Sequence, residues 1–399
     1  MEDPGPDGAA RGGLRVAMAA GEASGDLLAA SVLGALHARD AGLRAAGIGG
    51  PAMAAEGFER WWSIDELSVR GYVEVLAALP RLLRLRRELA RRVQDWRPGV
   101  FVGVDAPDFN LALERGLRAA RIPVVHFVSP SIWAWRAERI ETIRASVDHM
   151  LLVFPFEREL YREAGIPATY VGHPLADSIP LRADQAAARA ALGLEPQRPT
   201  VALLPGSRAS EVRYMGGLFV DAAAWMQQRR ADLQFVLPAA GAQLYERLRE
   251  QLAARAQDGG LRLTLVQGRS HEALAAADAV LVASGTATLE AALFRRPMVI
   301  AYRMPRLSYL LMRRRGYLPW IGLPNILARE SLVPEFVQDS ATPQALGAAL
   351  LAQLDDDPAR ERLAIRFGRM HEELRLDCGS RAAQVLMEVI DAGRQARSR

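Results

Sequence analysis

The chain has 399 residues, half of them apolar and 24% charged, a composition that belongs to folded proteins and excludes wholesale disorder. At about 150 residues per domain the length calls for two or three domains, more than a peptide, a finger or one small module. The 50 basic side chains, every one an arginine, against 46 acidic ones leave a net charge of only +4, and the arginines are too dispersed to form the concentrated basic face that nucleic acid requires. One cysteine, Cys378, excludes an internal disulfide and a cysteine-based zinc cage, and the six histidines include no His-x-x-x-His pair. The expectation is a reducing compartment and no bound metal.

Residues 1–13 are rich in Gly, Pro and Asp, lack the basic start and apolar core of a signal peptide, and read as a disordered tail. Short apolar or β-branched runs then alternate with helical patterns, at 14–20, 100–105, 124–128 and 150–154, and again at 201–204, 235–238, 261–266, 279–283 and 298–301. Strands that are apolar on consecutive positions need cover on both faces, which right-handed crossover helices supply to a parallel sheet. The predicted fold class is α/β, doubly wound, built twice. A polar stretch at 175–199 with Pro180, Pro196 and Pro199 is expected as a linker. It separates a domain at 14–174 from one at 200–355. Helical patterns at 343–355 and 358–396 close the chain, and 356–396 has the length to fold back on the first domain. The most apolar long stretch, 273–294, carries Asp278 and Glu290 and falls short of about 20 clean apolar residues, so no membrane span is expected.

The residues suited to chemistry stand where predicted strands end. After the first strand come Gly21, Glu22, Ala23, Ser24, Gly25 and Asp26. The spacing is not that of a dinucleotide fingerprint, and Glu22 would repel a pyrophosphate but suit a sugar hydroxyl. Ser24 or Asp26 can equally cap the next helix. The strand at 100–104 runs into Asp105, Ala106, Pro107 and Asp108, placing two carboxylates at the edge where open α/β sheets bind ligands. Asp108 fits a helix cap; Asp105 is the better candidate base. Then follow Ser129, Pro130, Ser131, Ile132, Trp133, Ala134, Trp135 and Arg136. The indoles offer planes for a sugar ring or an acyl chain, although one of them is equally at home in a core. Arg136 can hold a phosphate.

In the second half, Pro205, Gly206, Ser207 and Arg208 open a helix that carries Glu211. Amides at a helix start offer a positive end to a phosphate, and Arg208 adds a permanent cation able to steady a leaving diphosphate without a metal. No Gly-Lys-Ser/Thr follows, so this is not a Walker loop. Ser284, Gly285 and Thr286 form a second such turn, with Glu290 as a ribose ligand or else a solvated helix residue. Two anion-cradling turns in one domain make a nucleotide diphosphate the economical ligand. Asn325, beside Pro324, is a further candidate or a cap.

In order and spacing these segments, with Gly172, His173 and Pro174, resemble the bacterial lipid-A-disaccharide synthases from about residue 14 to the last helix. The resemblance implies a GT-B fold, two Rossmann-like domains with an interdomain cleft, and a metal-independent inverting transfer without a cofactor. It implies UDP-2,3-diacylglucosamine as donor and 2,3-diacylglucosamine 1-phosphate as acceptor, joined β(1→6) with release of UDP. The catalytic candidates are then Asp105 as base, Glu22 ranked second, and Asn325, with His126 left open as an alternative base. Arg208 and Asn325 would handle the diphosphate with Gly206, Ser207, Ser284, Gly285 and Thr286, and Glu290 the ribose. Ser24, Asp26, Asp108, Ser129, Trp133, Trp135 and Arg136 would meet the acceptor.

Acylated substrates imply a cytoplasmic enzyme held peripherally on the inner membrane. The leucine- and arginine-rich segments 73–92 and 303–320 are the candidate surfaces, the first being equally an amphipathic core-facing helix. A homodimer stays open. The additions at the two ends, 1–13 and 394–399, lie outside the matched region and are expected to be dispensable. The rival readings are another GT-B UDP-sugar transferase or sugar-nucleotide epimerase, and a non-catalytic lipid- or nucleotide-binding protein.

Overall fold

The computed structural model describes residues 13–67, 72–134, 136–254, 260–306, 309 and 318–398, the side chains of 72–78 and 396–398 lying outside that description. The chain divides into two compact units, Met1–Pro174 with Leu374–Arg399, and Leu175–Glu373.

In the first unit, β1 (Arg15–Ala20), β2 (Arg44–Gly49), β3 (Glu59–Ser63), β4 (Val100–Val104), β5 (Val124–Phe127), β6 (His149–Leu152) and β7 (Ala168–Tyr170) form one sheet. Its order is β3-β2-β1-β4-β5-β6-β7, parallel throughout. Helices α1 (Ala23–His37), α2 (Pro51–Ala55), α3 (Tyr72–Trp96), α4 (Pro107–Ala119), α5 (Arg139–Ser146) and α6 (Glu157–Glu163) lie between the strands in sequence. β4 is buried at every position, which a parallel sheet achieves only with helices on both faces. On α3, Leu85, Leu89 and Val93 recur every fourth residue and are buried, while Arg84, Arg87 and Arg91 are exposed. This half of α3 is the amphipathic core-facing helix.

α7 (Pro174–Ser178) and α8 (Gln185–Ala191) precede the second sheet, made of β8 (Thr200–Leu204), β9 (Gln234–Ala239), β10 (Leu263–Gln267), β11 (Ala279–Ala283), β12 (Met298–Tyr302) and β13 (Glu335–Val337). The order is β10-β9-β8-β11-β12-β13, again all parallel. α9 (Ala209–Arg229), α10 (Ala242–Ala253), α11 (Ser270–Ala276), α12 (Thr286–Leu293), α13 (Leu323–Ala328), α14 (Pro343–Asp355) and α15 (Asp357–Leu374) accompany it. Leu203, Phe235, Leu281 and Val299 from the strands meet Phe219, Met226 and Leu350 in its core. The last helix, α16 (Cys378–Ser398), returns to the first unit and packs on α1. It buries Ala382, Ala383, Leu386 and Ile390, and Arg39 on the partner side donates to Ser380 O at 2.9 Å.

Both sheets wind outward in one direction and then in the other, reversing between β1 and β4 and between β8 and β11. These are the switch points at which such sheets take ligands. Several local expectations change. β2, β3, β7 and β13 are strands where none was predicted. The stretch expected as a linker holds α8, tied into the second unit by Arg189 to Asp278 at 2.6 Å and by Gln185 to Ala277 O at 3.0 Å. The helical pattern at 358–396 is broken between α15 and α16, where Asp377 has φ +55°. No described helix is long and apolar enough to cross a membrane.

Candidate active site

β1, β4 and β5 are neighbours, so the turns that leave their carboxyl ends stand side by side. They touch: a Cβ on Gly21 would lie 2.3 Å from that of Ala106, so only glycine admits the approach. Glu22 is exposed in extended backbone just before α1 and makes no capping bond; Ser24 is exposed as well. Asp26 is different. Its buried carboxylate accepts from the N–H groups of Gly50, Ala52 and Met53 at 2.8, 2.9 and 3.1 Å. It anchors the start of α2, which corrects the expectation that it meets the acceptor.

Asp105 and Ala106 both adopt left-handed angles, φ +53° and +44°, a conformation that L-residues with a Cβ avoid. Buried Asn110 holds them, its Nδ2 donating to Asp105 O at 2.8 Å and to Ala19 O at 3.2 Å. The Asp105 side chain is half-buried. Asp108 caps nothing; it is exposed and ion-paired with Arg139. His126 is fully buried, Nδ1 2.6 Å from Glu114 Oε1. Burial pulls its imidazole down, but the charge and hydrogen bond of Glu114, with Asp105 beyond, outweigh that and hold it above the usual value. His126 has no exposed surface, unlike the half-buried Asp105.

The third turn starts at Val128, φ +78°, and ends at half-buried Arg136, φ +57°. Ser129 is buried, donating to Pro130 O at 3.0 Å and bonded to Tyr161 OH at 2.7 Å. Trp133 is half-buried; its Nε1 donates to Glu157 Oε1 at 3.1 Å and its ring meets Phe156 edge-on at 5.2 Å. Trp135 lies outside the described residues. Sequence reasoning passed over Glu157 and Tyr161, because a glutamate opening a helix reads as solvated.

In the second unit β8 and β11 adjoin and bring the two glycine turns together. Gly206 has φ +114°, and a Cβ there would lie 2.5 Å from Glu211, so the turn demands glycine. Glu211 Oε2 accepts from the N–H groups of Ser207 and Arg208 at 3.0 and 3.2 Å. The expectation that these amides await a phosphate is thereby corrected. What stays open is the Arg208 guanidinium, 69% exposed and 3.6 Å from Glu211 Oε1. Tyr302, at the end of β12, joins this cluster: burial and the Glu211 charge push its phenol up, with Arg208 opposing.

Ser284 Oγ donates to Ile321 O at 2.7 Å, a structural bond in place of the expected phosphate contact. Gly285 and Thr286 are exposed at the start of α12, whose first turn no side chain caps. Glu290 Oε1 lies 3.3 Å from Nε2 of His271 on α11, and that hydrogen bond, against burial, holds the His271 imidazole above its usual value. Nothing in the sequence near His271 signals this pairing across 19 residues. Asn325 is fully buried. Its Nδ2 donates to Val333 O and Glu335 Oε1 at 2.9 and 2.8 Å, and its Oδ1 accepts from Val333 N at 3.0 Å. Both ends of the amide are thus engaged within the second unit, where the expected diphosphate contact called for a free one. Glu335 also accepts from Ile321 and Gly322 N–H, so Asn325 fastens the segment on which Ser284 leans.

The profile of the family described as Lipid-A-disaccharide synthetase matches residues 16–389. A lipid-A-disaccharide synthase of Thiobacillus denitrificans is 55% identical over 377 residues, 94% of this chain and 100% of that relative. The chain belongs to the lipid-A-disaccharide synthetase family. Among solved structures it is similar to a putative UDP-N-acetylglucosamine 2-epimerase from Listeria monocytogenes, with TM-score 0.63 and 13% identity over 88% of this chain and 90% of that one. It is also similar to a glycosyltransferase from Rickettsia africae, with TM-score 0.56 and 10% identity over 95% and 99%. These two likenesses concern the fold alone, which is GT-B with two Rossmann-like domains. Epimerases and transferases share that fold, so it is membership of the family that sets the epimerase reading aside.

Proposed function

We infer that the chain is a glycosyltransferase forming the lipid A disaccharide. The observation that carries this is 55% identity running through the whole of a lipid-A-disaccharide synthase. The donor is UDP-2,3-diacylglucosamine and the acceptor 2,3-diacylglucosamine 1-phosphate. Asp105, preset by its strained turn, takes the proton of the acceptor 6-hydroxyl. That oxygen bonds to the donor's anomeric carbon while the bond to the diphosphate oxygen breaks and UDP departs with the electron pair. One displacement inverts the centre to give the β(1→6) linkage. Arg208 meets the charge growing on the diphosphate, since a guanidinium is permanently cationic and engages two oxygens. The first amides of α12 add to it, and Glu290 takes the ribose hydroxyls. No metal is required in this scheme. Glu22, exposed on the neighbouring turn, is the second carboxylate available to the acceptor.

Acyl chains on both substrates place the reaction at a bilayer surface. Leu79 on α3 is 45% exposed beside exposed Arg81 and Arg84, which suits a peripheral contact with anionic headgroups. Most of the other candidate surface, 307–308 and 310–317, lies outside the described residues. Incubating the full chain with both diacylated sugars in detergent micelles, with a chelator, should yield UDP and disaccharide in equal amounts. Absence of disaccharide overturns the substrate assignment, and an epimerised UDP-sugar restores the rival reading.

A further inference from the structure

The turn after β5 carries two left-handed non-glycine residues, one of them the β-branched Val128, a conformation that persists only where surrounding groups dictate it. Between those two residues the turn is braced from α6. Glu157 and Tyr161 are four residues apart and so share one helix face, and they are 1% and 0% exposed. Glu157 spans two elements, Oε1 accepting from Trp133 Nε1 at 3.1 Å and Oε2 from Phe154 N at 3.1 Å. Tyr161 holds the other end of the turn through Ser129, the two hydroxyls lying 2.7 Å apart. Phe156 fixes the Trp133 ring edge-on and stacks at 5.7 Å on Phe154.

We propose that Glu157 and Tyr161 are positioning residues for the acceptor: together they clasp the Ser129 and Trp133 ends of one turn and hold the Trp133 indole where the acceptor sugar is received. This rests on the reading of that turn as acceptor-binding. Supporting it, burial drives the Glu157 carboxyl up to about 8, only partly offset by its hydrogen bonds to the Phe154 amide and Trp133, and burial pushes the Tyr161 phenol up as well. Both groups are thus largely uncharged at neutral pH, and an uncharged clasp is one that an interior tolerates.

Steady-state kinetics on the full chain test it with a double-mutant cycle. Glu157→Gln keeps the volume but cannot accept from both donors, and Tyr161→Phe removes only the hydroxyl. Each should raise the acceptor KM about five- to tenfold, the effect of one lost hydrogen bond, with the donor KM unchanged. Trp133→Phe should raise the acceptor KM too, and adding Glu157→Gln to it should cause no further rise, because the carboxyl acts through the indole. Equal effects of Glu157→Gln with and without Trp133, a parallel rise in donor KM, or no rise in acceptor KM would each overturn the proposal. If Trp133→Phe leaves the acceptor KM untouched while disaccharide still forms, the acceptor reading of the turn itself fails. If no disaccharide forms from the wild-type chain, the fault lies in the proposed reaction.

Discussion

Asp105 and Ala106 hold angles that cost roughly 1–2 kcal/mol per residue, and Asn110 is buried beneath them to keep them there. Asparagine is tolerated in this region nearly as well as aspartate, so Asp105→Asn should preserve the turn and remove only the proton acceptor. Its kcat should fall by about 10²- to 10⁴-fold while UDP affinity, read by calorimetry, stays put; a retained rate would move the base to Glu22. Glu157 yields a second expectation, in pH. Its folded-state value of about 8 stands above the ordinary 4.5. A raised value means stability that is full below the lower figure and lost as pH climbs through the higher one. Stability should therefore decline from about pH 4.5 to 8, and Glu157→Gln should flatten that decline in denaturant titrations at several pH values. Asp105 was legible because it ends an apolar run two residues before a proline. Asp26, Glu157 and Asn325 were not, since each looks like a local cap or a solvated polar group until its distant partners are brought to it.

Elements show the same division. β1, β4 and β11 are apolar at nearly every position and read as buried strands directly. β2 is Arg-Ala-Ala-Gly-Ile-Gly, small residues with no β-branched run, and β3 begins Glu-Arg before two tryptophans. β7 and β13 have three residues each, too few for a pattern, and are specified by pairing on a neighbour. The consequence for the candidate site falls on α13, whose Asn325 braces the strand β13 and the segment before α13 through Glu335. Asn325→Ala leaves Val333 N–H and C=O buried without partners, at about 1–3 kcal/mol each. The melting temperature should drop and the donor KM rise, with the acceptor KM unaltered. A fall in kcat alone, without loss of stability, would return Asn325 to direct chemistry.

At the scale of the molecule, the first unit is assembled from both ends of the chain, α16 lying on α1. Truncation after residue 373 removes the buried Leu386 and Ile390 from the first unit, each worth roughly 1.5–3 kcal/mol on burial. It also uncovers α1 at Ser31, against which Gly379 packs. Limited proteolysis should then digest residues 15–174 while 175–373 resists; equal resistance would show the first sheet to be self-sufficient. During synthesis the amino-terminal half must wait, α1 without its partner helix, until α16 leaves the ribosome. At roughly 5–20 residues per second that delay lasts on the order of ten seconds or more, long enough for a chaperone to matter. A late frameshift that spares every catalytic candidate would still deny the protein its beginning.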